Sequence, residues 1–388
     1  MARSGQVARK ILVSAGEASG DLYASLLVEE LRRRLPDAEF FGSTGPRLRG
    51  AGVRTVVDSS SLAVVGLLEV VAHIPRIYRE FRKLLGAAEE ARPDLAVLTD
   101  SPDFHLRAAR RLKAMGVPVV YLVAPQVWAW RKGRLRGMRR TIDRLLCIFP
   151  FEEEFFRREG LEARYIGHPL AGLVRPSLTR EEFFRKHGLP PARPLVVVLP
   201  GSRRGEASRH LPAIAGAAGR LLRDRDVSFV LPASATTGRA FFLERIGCPG
   251  IQVIEGESWD ALAHADLALA ASGTVTVEAA LLGTPMVTFY KVTPPSWVAG
   301  KMLVSVPFYS MVNLIAGRAV VPELMQSDLT PERLAAEAAR LLDSPAGRAR
   351  MKADLAEVAR SLTVSGNPME RAAEAILELV EGRVAHVS

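Results

Sequence analysis

The sequence predicts an α/β protein made of two doubly wound parallel sheets and a helical tail. Short apolar runs without polar alternation recur along the chain, and glycine turns and helical spacing follow several of them. The 388 residues are enough for two domains of ordinary size. Hydrophobic residues make up 48% of the chain and charged residues 24%, which is typical of a folded globular protein.

The first series of predicted elements begins with a buried strand at residues 10–14 and a helix at 21–35, whose leucines recur at helical spacing. Further strands are predicted at 95–99, 117–123 and 144–149, with a helix at 104–115. Periodicity then breaks between Gly167 and Pro176.

A second series begins after this break, with a strand at 195–199 and a glycine turn. Further strands are predicted at 227–231, 251–254, 267–271 and 285–290. The tail, residues 331–384, has helical spacing and is divided at residues 366–368. We therefore predict Rossmann-like domains at 1–168 and 169–365 with a cleft between them, and a terminal helix, 366–388, that returns to the first domain.

Composition indicates a cytoplasmic protein without a membrane span or signal peptide, since no apolar run approaches 18 residues. The two cysteines, Cys147 and Cys248, lie in apolar surroundings and are expected to be reduced. The formal net charge of +10 favours anionic partners, although a genome rich in arginine codons explains it equally well.

The first candidate motif joins the first strand to the first helix. Its glycines permit a tight turn, Ser19 and Asp21 are good N-cap residues, and its two carboxylates favour sugar hydroxyls over a bare phosphate. It lacks the GxGxxG pattern of dinucleotide sites, and a simple capped turn is the alternative. The candidate acceptor- or sugar-binding residues are Ser14, Gly16, Glu17, Ser19, Gly20 and Asp21.

The second motif, residues 99–104, follows a predicted strand at the sheet edge where open α/β folds bind ligands. Asp100 lies in a sharp turn stiffened by Pro102 and is the candidate general base. Asp103 is expected to cap the following helix.

Two glycine turns in the second half predict a diphosphate site. Arg203 follows Gly201 and Ser202, and its guanidinium suits phosphate. Ser272, Gly273 and Thr274 open a helix whose free amides can bind a pyrophosphate, and Glu278, one turn later, is placed to bond a ribose. An ordinary capped helix with an incidental glutamate is the alternative.

Asn313 lies in an apolar segment, where its amide needs a partner that either a substrate or the fold supplies. Glu323 and Gln326 present the same choice. No spacing typical of a metal site occurs, so we expect a reaction without metal or cofactor.

Residues 62–85 combine an apolar stripe with arginines, a pattern typical of a helix lying in a bilayer interface or, alternatively, of a core helix with solvated arginines. Ile77, Tyr78, Phe81 and Arg82 are the candidate membrane-facing residues. A second basic, aromatic patch spans residues 128–140 and would also suit nucleic acid.

Several motifs together resemble the lipid-A-disaccharide synthase family, which has the GT-B architecture. The resemblance covers residues 11 to about 327 and is most specific at the APQVWAW run, residues 124–130. The other motifs lie at residues 14–21, 100–104, 149–152, 167–169, 200–203 and 272–274.

The resemblance implies an inverting transfer from UDP-2,3-diacylglucosamine to 2,3-diacylglucosamine 1-phosphate, the acceptor also called lipid X. The product is a β-1,6-linked disaccharide 1-phosphate. Asp100 resembles the proposed base, and Arg203, Glu278 and Asn313 look like donor-binding or catalytic residues of the family. The resemblance also implies that domain 1–168 faces acceptor and membrane and domain 169–365 binds the UDP-sugar.

By this resemblance the protein is peripheral to the cytoplasmic face of the inner membrane, a homodimer is possible, and nucleic acid is not a partner. Three alternatives remain open. They are a UDP-GlcNAc transferase acting on a lipid-linked precursor, a UDP-GlcNAc 2-epimerase, and a non-enzymatic RNA- or membrane-binding module.

Overall fold

The computed structural model describes residues 8–62, 67–294, 297 and 306–387. These residues form two parallel sheets of seven and six strands with helices around them, which confirms the predicted fold class. Part of the predicted apolar stretch 62–85, residues 63–66, lies outside the described residues, as do 298–305 near Asn313.

The first sheet has the strand order β3-β2-β1-β4-β5-β6-β7. Its order reverses between β1 and β4, where Ala15 lies beside Thr99, so the loops after these two strands diverge from a common crevice. The strands are β1 (Lys10–Ala15), β2 (Glu39–Thr44), β3 (Arg54–Asp58), β4 (Leu95–Thr99), β5 (Val119–Leu122), β6 (Arg144–Cys147) and β7 (Ala163–Tyr165).

Six helices of the described residues accompany this sheet before the chain reaches the second one. They are α1 (Ala18–Arg34), α2 (Pro46–Gly50), α3 (Leu67–Ala91), α4 (Pro102–Ala114), α5 (Leu135–Thr141) and α6 (Pro150–Arg158).

The second sheet has the order β10-β9-β8-β11-β12-β13 and reverses between β8 and β11. Its crevice therefore lies between the loops that carry the two predicted phosphate motifs. The strands are β8 (Leu195–Leu199), β9 (Ser228–Ala233), β10 (Ile251–Glu255), β11 (Leu267–Ala271), β12 (Met286–Tyr290) and β13 (Glu323–Met325).

The helices of the remaining chain, apart from the last one, surround this second sheet. They are α7 (Arg180–His187), α8 (Arg204–Asp224), α9 (Arg239–Arg245), α10 (Ser258–His264), α11 (Thr274–Leu281), α12 (Met311–Ala316), α13 (Pro331–Leu342), α14 (Pro345–Leu362) and α15 (Pro368–Val387).

The chain divides into two compact units, Met1–Pro169 with Val364–Ser388, and Leu170–Thr363. Helix α15 packs against α1 and β6 of the first unit. Arg164 pairs with Glu378 on α15 at 2.8 Å, and Ile376 is completely buried. The functional roles expected of the two domains stay predictions.

Four strands have no counterpart in the sequence prediction: β2, β3, β7 and β13. Two of them, β7 and β13, have only three residues, β3 has a single buried residue, and β2 has only two large apolar residues, Phe40 and Phe41, so none shows the long apolar run that marks the central strands. The first helix begins at Ala18 with Glu17 as its N-cap, so the predicted capping role of Ser19 and Asp21 is wrong.

Candidate active site

Asp100 lies in the turn between β4 and α4, at the crevice of the first sheet. Asp100 and Ser101 both have left-handed backbone conformations, with φ of 56° and 37°. Successive non-glycine residues with positive φ are uncommon and strained, and such strain concentrates at functional sites. Pro102 starts α4 directly afterwards and fixes the turn, as predicted.

The Asp100 carboxylate is held by the loop after β1. Its two oxygens accept hydrogen bonds from the backbone amides of Gly16, at 2.9 Å, and Glu17, at 3.0 Å. Burial raises the pKa of Asp100 to about 7, although these amide bonds act to lower it. A carboxyl with this pKa is suited to accept a proton near neutral pH.

The glycines of the first motif are needed for this approach. A Cβ on Gly20 would lie 1.6 Å from Oδ2 of Asp100, and one on Gly16 would lie 2.2 Å from Oγ of Ser101. The motif that we predicted to bind sugar therefore forms, at these two positions, the surface on which the candidate base rests.

Ser14 contributes to the same site from beneath, and the structure gives it no exposed surface for a ligand. Its hydroxyl lies 2.7 Å from Nε2 of His105, whose Nδ1 donates to the carbonyl oxygen of Asp100 at 2.9 Å. Burial lowers the pKa of His105 to about 4, so the ring is neutral and Nε2 accepts the Ser14 proton. The hydroxyl of Tyr121 also donates to the Asp100 carbonyl. Ser14 thus supports the Asp100 turn, which corrects its predicted role in substrate binding.

Asp21 is also reassigned by the structure. Its buried carboxylate accepts hydrogen bonds from the backbone amides of Gly45, Arg47 and Leu48, at 2.7–3.2 Å. It therefore caps α2, and its oxygens are already used within the protein. Of the predicted sugar-binding residues, Glu17 and Ser19 have exposed side chains at the edge of the crevice.

Asp103 does not cap α4 as predicted, because Ser101 occupies the N-cap position. Its carboxylate accepts hydrogen bonds from Arg131, at 3.0 Å, and from Arg134. The residues that directly follow the APQVWAW segment are thereby joined to α4. Within the segment, the indole of Trp128 donates to the buried Glu152 carboxylate at 3.0 Å.

The loop after β8 carries the predicted arginine turn. Gly201 has φ of 116°, and a Cβ there would lie 2.4 Å from the Glu206 carboxylate, so the position requires glycine. Ser202 and Arg203 are exposed, and Arg203 is the N-cap residue of α8. Burial raises the pKa of Tyr290 to about 12. Arg203 lies close enough for its positive charge to act in the opposite direction.

His210 fixes this loop to the end of β12. Its Nδ1 donates to the carbonyl oxygen of Pro200 at 2.8 Å, and its Nε2 accepts from the amide of Lys291 at 2.9 Å. No local pattern marks His210, because its two partners are ten and 81 residues away along the chain.

The loop after β11 leads into α11 through Ser272 and Gly273, with Thr274 as the first helical residue. Gly273 and Thr274 are exposed, so the amides at this helix start face solvent. The Ser272 hydroxyl donates to the carbonyl of Tyr309 at 2.8 Å. Ser272 and Tyr290 line one cavity of about 240 Å³ together with Trp297, Tyr309 and Met325. The start of α11 and the end of β12 thus lie around a common aromatic cavity.

Glu278 lies one turn into α11 and accepts a hydrogen bond from the Trp259 indole at 3.1 Å. Burial raises its pKa above the usual range. Trp259 lines a second cavity, of about 490 Å³, beside Arg175, Ser177 and Asp260. Glu278 is therefore bonded to a side chain that lines a cavity large enough for part of a nucleotide.

Asn313 is buried, and its amide is fully used within the protein. Its nitrogen donates to Val321 and Glu323, and its oxygen accepts from the amides of Val320 and Val321, all at 2.7–2.9 Å. The expectation that Asn313 contacts substrate is therefore corrected to a positioning role. Glu323 in turn accepts from the amides of Tyr309 and Ser310 and so fixes one wall of the aromatic cavity.

The predicted membrane-facing helix is α3, and among the side chains described on it the exposed large apolar ones are Ile74 and Tyr78, at 54% and 58% exposure. Arg82 is exposed and Ile77 is half-buried. Phe81 is half-buried, with its ring centroid 5.6 Å from that of Phe104 on α4, and its predicted contact with the membrane stays a prediction. No helix within the described ranges is long and apolar enough to cross a bilayer. Those same ranges contain no group of three histidine, cysteine or acidic side chains suited to a metal.

Residues 11–377 match the family model described as lipid-A-disaccharide synthetase. The chain belongs to this family. A lipid-A-disaccharide synthase from Solibacter usitatus (strain Ellin6076) is 73% identical over 98% of this chain and all of its own length.

Solved structures of lower identity confirm the GT-B-type fold predicted for this member of the lipid-A-disaccharide synthetase family. The glycotransferase of kitacinnamycin has a TM-score of 0.66 at 17% identity, covering 97% of this chain and all of its own. A UDP-GlcNAc 2-epimerase from Neisseria meningitidis has a TM-score of 0.62 at 14% identity, covering 96% of this chain and all of its own. At these identities the likeness concerns the fold alone.

Proposed function

We propose that this chain transfers 2,3-diacylglucosamine from its UDP derivative to 2,3-diacylglucosamine 1-phosphate. The products are a β-1,6-linked disaccharide 1-phosphate and UDP. Membership of the lipid-A-disaccharide synthetase family supports the reaction. The observation that carries the mechanism is the Asp100 carboxylate, held on two amides at the sheet crevice with a pKa of about 7.

In this mechanism Asp100 accepts the proton of the acceptor's 6-hydroxyl as its oxygen attacks the anomeric carbon of the donor. The bond from that carbon to the diphosphate breaks from the opposite face, so the configuration is inverted. His105 and Tyr121, which bond the Asp100 carbonyl, keep the carboxylate in place without touching substrate.

The second unit supplies the donor site of this proposal. Arg203 and the exposed amides at the start of α11 are suited to the charge that develops on the departing diphosphate. Glu278, which is bonded to Trp259 at the wall of the cavity of about 490 Å³, is suited to bond the ribose hydroxyls. We expect turnover without a metal, because these groups would carry the phosphate charge, and chelation should leave the rate unchanged.

The direct test is incubation with both acylated sugars, followed by mass analysis for the disaccharide 1-phosphate. Asp100→Asn should abolish product formation while UDP affinity measured by calorimetry stays at the wild-type value, because Asp100 lies in the other unit from the UDP site. Arg203→Ala should weaken UDP instead. Wild-type protein that only epimerises UDP-GlcNAc, and forms no disaccharide, would overturn the proposal.

The proposal includes peripheral attachment to the cytoplasmic face of the inner membrane. Its support is the exposed pair Ile74 and Tyr78 on α3 and the exposed arginines Arg76, Arg79 and Arg82 beside them. An apolar stripe flanked by arginines is suited to the interface of an anionic bilayer, where the acylated substrates reside.

A further inference from the structure

Two arginines, an aromatic ring and an exposed carboxylate form a cluster beside the Asp100 turn that the mechanism above does not use. The guanidinium carbons of Arg131 and Arg134 lie 4.4 and 5.8 Å from the ring centroid of Trp130. Both guanidinium groups also donate to Asp103. We refer to Trp130, Arg131 and Arg134 as the arginine fork.

The fork holds more positive charge than Asp103 neutralises. The Arg134 side chain is 18% exposed, whereas the Asp103 side chain is 67% exposed and hydrated. An exposed carboxylate contributes little net attraction, so it can give way to a more highly charged anion. Two planar guanidinium groups presented side by side are the arrangement that proteins use for phosphate.

The backbone of the fork is also held in an uncommon conformation. Arg131 has φ of 58°, in the left-handed region, immediately before a short 3-10 turn, Lys132–Arg134. The exposed ion pair to Asp103 is a weak reason for such strain, and strain of this kind is frequent where a side chain must face a ligand.

The fork lies near the candidate base. Asp103 is three residues after Asp100, in the first turn of α4. The charge of Arg134 acts on Tyr121, whose hydroxyl donates to the Asp100 carbonyl. An anion bound to the fork would therefore lie beside the turn that carries the candidate base.

We propose that the arginine fork binds the phosphate monoester of the acceptor sugar, with Arg131 and Arg134 on the phosphate oxygens and Trp130 against the apolar face of the sugar. This deepens the proposed function and rests on it. The fork then determines specificity, since it selects an acceptor that carries a phosphate and directs its distant hydroxyl to Asp100. An anionic phospholipid headgroup offers the same phosphate chemistry, so the test must separate these two sources.

The test compares Arg134→Gln and Arg131→Gln with wild type in micelles of a non-ionic detergent that contain no anionic lipid. Two acceptors are used, 2,3-diacylglucosamine 1-phosphate and the same sugar without the phosphate. Arg136→Gln, which removes an equally charged and exposed arginine from α5, is the matched control. Loss of charge-assisted bonds to phosphate should raise KM for the phosphorylated acceptor about tenfold or more in each fork variant. The KM for the donor should change little, and the wild-type preference for the phosphorylated acceptor should disappear.

An equal loss of activity of the fork variants with both acceptors would overturn the proposal, because it would indicate that the two arginines have a structural role. Arg131 is exposed, so its variant should fold even where Arg134→Gln does not. Fork variants with wild-type KM in micelles but weaker sedimentation with phosphatidylglycerol vesicles would assign the fork to the headgroup and also overturn it.

Calorimetry with glucosamine 1-phosphate separates failure of this inference from failure of the proposed function. If the wild-type protein makes no disaccharide but binds this probe more tightly than the fork variants do, the proposed reaction is overturned. The sugar-phosphate site is then still supported. A wild-type enzyme that makes disaccharide but shows no difference from the fork variants in KM or in probe affinity would overturn the inference alone.

Discussion

Opposing influences on one carboxyl group set the chemistry of the candidate site. Burial favours the protonated form of Asp100, whereas the amides of Gly16 and Glu17 favour the ionised form. Burial is the larger of these influences, and the resulting pKa of about 7 gives a base that is ionised in half of the molecules at neutral pH.

The dependence of rate on pH follows from this pKa. A base must be unprotonated to act, so kcat/KM should rise with pH, reach half of its plateau near pH 7, and fall below that about tenfold per pH unit. Steady-state assays from pH 5 to 9 with the phosphorylated acceptor check this. A profile that stays flat down to pH 5 would show that the acting base has an ordinary carboxylate pKa.

Gly20 tests the close contact beneath the base. In Gly20→Ala the new methyl group would meet Oδ2 of Asp100 at 1.6 Å, so the carboxylate must move off its two amides. We expect kcat to fall at least about tenfold, since small displacements of a catalytic group are costly, with UDP affinity unchanged.

Gly86→Ala is the matched control for this change. It adds the same methyl group to a helix, where nothing lies within 4 Å. It should leave activity intact and stabilise the protein by about 0.5–1 kcal/mol. If Gly20→Ala has the activity of this control, the packing of Asp100 on the loop after β1 does not matter for turnover.

At the scale of elements, helix α3 has two apolar surfaces with different partners. Leu84 is completely buried and Phe81 packs on Phe104, whereas Ile74 and Tyr78 stay exposed on the described part of the helix. The packing of the helix on the protein should therefore depend on Leu84 and Phe81, and its contact with lipid on Ile74 and Tyr78.

Ile74→Ser with Tyr78→Ser should weaken attachment to vesicles without lowering thermal stability, because these side chains bury little area in the protein. Sedimentation with phosphatidylglycerol-containing vesicles and a thermal melt measure the two effects. Leu243→Ser, which alters a residue of 51% exposure on α9, is the control for loss of an exposed apolar side chain. A double variant that sediments like wild type would remove α3 from the membrane proposal.

For the molecule as a whole, the last helix joins the first unit although it follows the second in sequence. Met369, Ala372 and Ile376 are buried on α15, and Arg34 and Arg164 pair with glutamates of that helix. The first core is therefore completed only when the end of the chain is present.

Ile376→Ala should consequently destabilise the first unit by about 2–5 kcal/mol, the usual cost of removing a buried isoleucine side chain. Hydrogen exchange followed by mass spectrometry should show faster exchange in β1 and α1 than in β8 and β11. Leu334→Ala, at a completely buried position on α13, should give the reverse pattern and is the control. Equal acceleration in both units after either change would show that they unfold as one.

Local sequence patterns were enough to predict the central strands and the loops that follow them. Runs such as 95–99, 195–199 and 267–271 are buried on both faces, so their apolar character is continuous and local. Turn chemistry is local too, which is why the positions of Asp100, Gly201 and Gly273 at sheet edges were predictable. Edge strands such as β3 and β13 were not predicted, because one of their faces is less buried and their alternation of apolar and polar residues is short.

Tertiary structure alone decided which polar groups are available to a ligand. Asp21 accepts hydrogen bonds from amides 24–27 residues away, and Ser14 is hydrogen-bonded to a histidine 91 residues away. Asn313 is hydrogen-bonded to the backbone before β13. Each had the residue type and the loop position of a binding group, but its hydrogen-bonding capacity is used by partners that no local pattern identifies. Asp103 and the arginine fork show the converse, since charges 28–31 residues apart become neighbours only when the sheet is assembled. Short-range periodicity is therefore enough to predict where a loop lies. Whether its side chains can bind a ligand depends on which distant residues they contact in the folded chain.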